Sequence, residues 1–190
     1  VTLDTPVPVL QNQSELAELI ALYRDRKPKR TLEVGTYHGG TLYHWLRHAP
    51  RGATVVSVDS YTVPGVDNRH LYQGWVPPHV FLHVIQGDSR DPHTVERAAE
   101  YGPYQWAFID ADHSYEAVKD DWENYGPLVD AGGVVCFHDI NMEGEGVPRL
   151  WWEIRQGHKT AELVGEHEPG EAAWGLGPDT PWGGIGIVYK

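Results

Sequence analysis

Short apolar runs recur along the chain, and each stops at a glycine or a polar residue. Thr31 to Val34, Ala53 to Val58, Val80 to Ile85, Tyr104 to Ile109 and Gly132 to Phe137 have the length and the β-branched or aromatic content of buried strands. Between them the apolar positions change to a helical period. Leu16, Leu19, Ile20 and Tyr23 fall on one face of a helix that Asn12 or Ser14 can cap and that Lys27-Pro28-Lys29 ends. Further helices are predicted from Thr41 to His48, from about Pro92 to Glu100 with proline in the first turn, and from Ser114 to Leu128. Another opens at Gly146-Val147-Pro148 and runs through Trp151, Trp152 and Ile154, and Thr160 to Gly165 and Gly184 to Lys190 read as two last strands.

Repeated alternation of strand and helix predicts an α/β fold with a mostly parallel sheet and helices on both faces. The two closing strands lack a good helix between them, which predicts an antiparallel hairpin at one edge. At 190 residues the chain reads as a single domain, 1–190, in which 1–29 form an extended leader and a first helix. Residues 60–79 are the least regular and read as a lid or substrate wall, with one helical turn near Asn68 to Gln73. The stretch 166–182, rich in Gly, Pro and Trp, is the other expected substrate loop.

Composition narrows the partners. The formal charge of −12 disfavours a nucleic-acid backbone and suits a cationic ligand or a metal. The single cysteine, Cys136, lies in an apolar run, so no internal disulfide forms and a cytoplasmic location is expected. No run approaches membrane-span length and no signal peptide is visible, while the start at Val1 suggests a piece trimmed from something longer. A homo-oligomer stays open.

Chemistry gathers at the strand ends. Glu33-Val34-Gly35-Thr36-Tyr37-His38-Gly39-Gly40 is a glycine-rich turn between a strand and a helix, where backbone N–H groups can approach a ligand. Asp59 ends the next strand, where a carboxylate can accept ribose hydroxyls, and Gly87-Asp88-Ser89 follows the third. Each piece has a plainer reading: an ordinary turn, a cap at Asp59, an Asx turn at Asp88. The spacing E-x-G-x-x-x-G-G resembles motif I of the class I S-adenosylmethionine-dependent methyltransferases, and the likeness continues through Asp59, Asp88-Ser89 and Asp110. It implies a Rossmann-like class I methyltransferase domain, whose seven-stranded sheet has an antiparallel last strand. It further implies S-adenosylmethionine held by Glu33, Gly35, Thr36, Tyr37, Gly39, Asp59, Asp88, Ser89 and Asp110.

Asp110, Asp112 and His113 end the fourth strand, and His138 with Asp139 ends the fifth. Neighbouring C-terminal ends of a parallel sheet lie close together, and carboxylates with imidazole suit a divalent cation such as Mg²⁺ or Mn²⁺. Structural readings compete here too. Asp112 or Ser114 can cap the following helix, Asp120 and Asp121 read as a solvated helix face, and His38, His44 and His48 read as surface histidines. The pair Trp151-Trp152 reads as core packing.

The pattern FIDADHSYEAVKDDW followed by GGVVCFHD resembles the metal-dependent small-molecule and sugar O-methyltransferases of macrolide-sugar and cephalosporin-pathway type. By that resemblance Asp110, His138 and Asp139 are metal ligands and His113 is the catalytic base. His138 departs from the pattern, which has Glu or Asp there, and a histidine shifts the preference somewhat from Mg²⁺ towards Mn²⁺, Fe²⁺, Co²⁺ or Zn²⁺. The function expected is O-methylation of a hydroxyl on a small molecule or sugar. The alternatives are a non-catalytic cofactor-binding module and a different metal-dependent enzyme on the same scaffold. Nucleic-acid methylation is disfavoured: it would want a basic face on a chain of net charge −12, and the sequence has no N/D-P-P-Y/F motif.

Overall fold

The computed structural model describes residues 3–142, 144, 146–165 and 183–190. The strands are β1 (Arg30–Val34), β2 (Thr54–Asp59), β3 (Phe81–Gln86), β4 (Tyr104–Ile109), β5 (Val129–Phe137), β6 (Lys159–Leu163) and β7 (Ile185–Tyr189). The helices are α1 (Gln13–Arg26), α2 (Gly40–His48), α3 (Arg69–Trp75), α4 (Pro92–Ala99), α5 (Tyr115–Tyr125) and α6 (Gly146–Ile154), with a short 3₁₀ turn over Gly126–Leu128 after α5. They build one seven-stranded sheet in the order β3-β2-β1-β4-β5-β7-β6. Strands β1 to β5 are mutually parallel, and β7 runs antiparallel to both neighbours. The expected fold class and edge hairpin are therefore present, with the last strand inserted between β5 and β6.

Side-chain alternation along the central strands divides the core in two. Trp106 and Phe108 of β4 pack on one face with Leu16, Leu19, Ile20 and Tyr23 of α1 and with Leu42, Trp45 and Leu46 of α2. Ala107 and Ile109 turn to the opposite face, beneath Ala98 of α4, Val118 and Tyr125 of α5, and Leu150, Trp151 and Ile154 of α6. Burial on both faces is why these strands read as continuous apolar runs rather than as an alternation.

Register decides what meets at the upper edge. Val34 is opposite both Val58 and Ile109, and Ile109 is opposite Phe137. The next residues, Asp59, Gly35, Asp110 and His138, consequently stand side by side at four neighbouring strand ends. Strand order reverses direction between β1 and β4, so the crevice that an open α/β sheet offers to ligands opens at Gly35 and Asp110.

Three sequence expectations change. Asp121 is buried at 1% exposure, because it falls on the same face of α5 as Ala117, Val118 and Tyr125; only Asp120 is solvated. His44 is buried as well, because α2 is flanked by α1 and α3 and has both sides covered. Of the tryptophan pair, Trp151 is core while Trp152 is 61% exposed. The expected loop 166–182 lies outside the described residues.

The leader and α1 also do more than the sequence suggested. Asn12 caps α1, its side chain accepting from the backbone N–H of Ser14 and Glu15. Glu15, 1% exposed, accepts from the backbone N–H of Gly165 and Gly184, both at 2.9 Å, and so joins α1 to the end of β6 and the start of β7. Replacing it with alanine leaves two donors unsatisfied. Urea unfolding of Glu15→Ala should show a loss of about 3 kcal/mol; a loss under about 0.5 kcal/mol would mean that water replaces the carboxylate.

Candidate active site

The glycine turn after β1 is shaped by what surrounds it. Gly35 has φ +86, and a Cβ there would overlap the backbone carbonyl of Asp110. Only glycine permits that approach of the β1 and β4 ends. The backbone N–H groups of Thr36 and Tyr37 donate to one carboxylate oxygen of Asp59 at 2.8 and 2.9 Å, and that of Tyr61 donates to the other at 2.6 Å. Asp59 thus holds the turn in place while lining a cavity of about 610 Å³ with Gly87, Asp88, Ser89 and Arg90. Asp88 closes an Asx turn, accepting from the N–H of Arg90 at 2.9 Å, and pairs with the Arg90 side chain at 3.2 Å.

A second cavity, of about 430 Å³, lies beside the first. Its polar end is formed by Asp110, His113, His138 and Asp139, and its apolar wall includes Pro8, Val9, Leu10, Val63 and Met142. The two cavities share Gly35, Tyr37, Val63, Asp110 and Ala111. A ligand in one therefore ends where a ligand in the other begins.

Electrostatics at the polar end are dominated by two carboxylates facing two imidazoles. His138, 5% exposed, places Nδ1 at 3.0 Å from Asp139 Oδ2 and 3.5 Å from Asp110 Oδ1. His113 places Nε2 at 3.4 Å from the same two oxygens. Burial by itself would lower the pKa of His138, but Asp110 and Asp139 outweigh it and push the ring up to about 10. Hydrogen bonding to Asp110 raises His113. Asp110 is held well below the usual carboxylate range: burial acts upward, and His138 and His113 overcome it. Asp139 adopts φ 61, an uncommon backbone for a non-glycine residue, and accepts from the N–H of Gly183 at 3.1 Å.

These donors fit a divalent cation. One ligand atom each from Asp110, His113 and Asp139 lies within 4.8 Å of the others, and a carboxylate–imidazole set suits Mn²⁺ or a neighbouring metal. Asp110 and Asp139 are common to this group and to the set expected from sequence. The histidine in it is His113, while His138 lies deeper, its Nε2 buried and without a hydrogen-bond partner among the described residues.

Not every expected residue reaches a cavity. Gly39 caps the start of α2 with φ +91, packed against Tyr72 and Trp75. Glu33 is fully buried behind the turn, where Oε1 accepts from the Thr41 hydroxyl at 2.6 Å and the Trp45 indole N–H at 2.8 Å. Asp112 does line the larger cavity, and it also accepts from the N–H of Ser114 at 2.8 Å just ahead of α5, as its structural reading expects. Gln11 was missed: it donates to Asp110 Oδ2 at 2.7 Å. Only its place beside the cap residue Asn12 hinted at order there.

Burial pushes the Glu33 carboxyl from 4.5 up to about 8 against the hydrogen bonds from Thr41 and Trp45. Between those values the folded chain keeps a proton that the unfolded chain has lost. The contribution is therefore full below 4.5 and is lost as pH rises through about 8. Relative to Glu33→Gln, the wild-type protein should lose on the order of a few kcal/mol of stability across that window. Urea unfolding at steps of pH measures this, and parallel profiles for the two proteins would refute it.

Comparisons with known proteins agree with this geometry. Residues 32–140, more than half of the chain, match the family model described as a methyltransferase domain. An uncharacterised protein of Sinorhizobium fredii, y4gI, is 24% identical over 160 residues, 78% of this chain, and the chain spans 17% of that protein's length. Among solved structures, an O-methyltransferase of Bacillus cereus in complex with SAH superposes with a TM-score of 0.66 at 17% identity, over 96% of this chain and 84% of that one. TomG of Streptomyces achromogenes, an O-methyltransferase involved in tomaymycin synthesis and bound to SAM, gives 0.67 at 18%, over 96% and 83%. MycE of the mycinamycin biosynthetic pathway, in complex with Mg, SAH and mycinamycin VI, gives 0.58 at 19%, over 92% and 48%. A seven-stranded sheet with an antiparallel β7, a glycine turn clamped by Asp59 and a family match across residues 32–140 lead to one assignment: the chain belongs to the methyltransferase domain family.

Proposed function

We propose that this domain transfers a methyl group from S-adenosylmethionine to a hydroxyl of a small molecule, with a divalent cation at the carboxylate pair. The observation that carries the reading is the wall shared by the two cavities. Adenosine fits the side bounded by Asp59, Asp88 and Ser89, and the acceptor fits the side bounded by Pro8 to Leu10, Val63 and Met142. The sulfonium would then lie at the shared wall, close to Asp110. Support for the cofactor comes from the SAH and SAM complexes among the structural neighbours, and for a cation from the Mg in the MycE complex. Substrate loops at 60–79 and 166–182 belong to the same proposal.

Methyl transfer is an in-line displacement, so most of what the chain supplies is position. The Gly35 turn and Asp59 fix the donor, and the apolar wall orients the acceptor and excludes water. Asp110 and Asp139 would hold a cation, which when bound would lower the pKa of the acceptor hydroxyl. His113, at the mouth of the polar end and 31% exposed, receives the hydroxyl proton. In the metal-free chain the carboxylates favour the protonated ring, and a cation on them would favour the neutral one that a base requires. His138 either completes the ligand set or holds Asp110 and Asp139 in place from behind.

A second reading makes His113 itself a ligand, favoured by the ligand-atom spacing of Asp110, His113 and Asp139. Mn²⁺ titration followed by electron paramagnetic resonance separates the two. His113→Ala keeps the nitrogen coupling of the bound Mn²⁺ unchanged if the residue is the base and loses one such coupling if it is a ligand.

Saturating S-adenosylhomocysteine should raise the melting temperature by roughly 2–6 °C, and no shift at millimolar ligand would sink the cofactor reading. Turnover of a hydroxylated acceptor, read as S-adenosylhomocysteine release, should stop on exhaustive chelation and in Asp139→Ala. Activity surviving both would remove the metal from the proposal.

A further inference from the structure

Asp121 is a buried carboxyl that the reading above does not use. It is 1% exposed, and neither carboxylate oxygen has a hydrogen-bond partner among the described residues. Arg90, close enough to act on it, is already paired with Asp88 at 3.2 Å. A buried, unpartnered carboxyl costs stability and calls for an explanation.

Its surroundings supply one. The Ser89 side chain is near enough to Asp121 to act against its raised pKa, although no hydrogen bond joins the two in this structure. Tyr125, one turn further along the same face of α5, donates its hydroxyl to the Ser89 carbonyl at 2.8 Å. Asp121 and Tyr125 thus stand under a single turn, Gly87 to Arg90, whose other side lines the cavity assigned to adenosine.

We propose that Asp121 is a positioning residue for the adenine of the cofactor, acting through Ser89. The inference rests on the cofactor reading given above. The ionised carboxyl accepts a hydrogen bond from the Ser89 hydroxyl, which leaves the Ser89 oxygen an acceptor towards the cavity and so complementary to an exocyclic amine. The protonated carboxyl donates to Ser89 instead. The serine must then turn its own proton outward, where it opposes an amine. Burial pushes Asp121 from 3.8 up to about 6, against Ser89 and Arg90, so both forms are accessible near neutral pH. The other charged or titratable groups acting at this position are Asp88, Asp120 and Tyr125.

The test is calorimetry of the full chain with S-adenosylhomocysteine at steps of pH on either side of 6, in buffers of different ionisation heat. Wild-type affinity should rise about five- to tenfold from the acidic to the neutral side, the scale of one hydrogen bond, with proton release on binding. Asp121→Asn and Ser89→Ala should each lack that component. Any titration of His113 and His138 persists in both variants and cancels in the comparison. Asp121→Asn with the wild-type affinity and profile overturns the inference, as does tighter wild-type binding on the acidic side. If Asp121→Asn does not fold, Ser89→Ala decides by the same criterion. A wild-type protein that binds no S-adenosylhomocysteine overturns the cofactor reading and this inference together; binding that ignores Asp121 and Ser89 overturns this one alone.

Discussion

The close approach of Gly35 to the backbone carbonyl of Asp110 is the constraint on which the site depends. It exists because β1 and β4 are hydrogen-bonded neighbours whose ends coincide, and because position 35 carries no Cβ. Any larger residue would drive the strand ends apart. The glycine turn would then leave Asp59, and Asp110 would leave the wall that both cavities share. A fold-level property, the reversal of strand order between β1 and β4, is thereby converted into a contact between two particular residues.

Around that contact the charges sort by depth. Carboxylates at Asp110 and Asp139 face two histidines, and these contacts lower Asp110 and raise both rings. Glu33 and Asp121 are the opposite case. They are buried carboxyls with no ion-pair contact among the described residues, and desolvation raises both. Asp110 is therefore kept ionised beside the apolar wall of the smaller cavity, while Glu33 and Asp121 are poised to hold a proton. The net charge of −12 conceals this division, since total charge says nothing about which acids face a cation.

Much of the architecture was legible along the chain because each element announced itself locally. The β4 run Tyr104 to Ile109 needed only its apolar content, and α4 only the proline in its first turn. Asp110, His113, His138 and Asp139 were found because they directly follow such runs. The errors have a common origin. Asp121 and His44 were placed at the surface from their polarity, although the spacing Ala117, Val118, Asp121, Tyr125 put Asp121 on the buried face. Burial follows the helical period rather than the polarity of the residue. Gln11 and Glu15 could not have been found, because their partners, Asp110, Gly165 and Gly184, are remote in sequence.

By itself the sequence determined the alternation of strands and helices, the glycine turn and the position of each acidic or imidazole group at a strand end. These follow from short-range patterning and from the conformational freedom of glycine. Only the tertiary structure decided which ends are neighbours, because strand order and register are set by pairing across the sheet. It decided, too, that the leader reaches Asp110, that Glu15 joins α1 to the ends of β6 and β7, and that His113 as well as His138 lies within 3.5 Å of both carboxylates. Those relations depend on burial and distance, which a linear pattern does not contain.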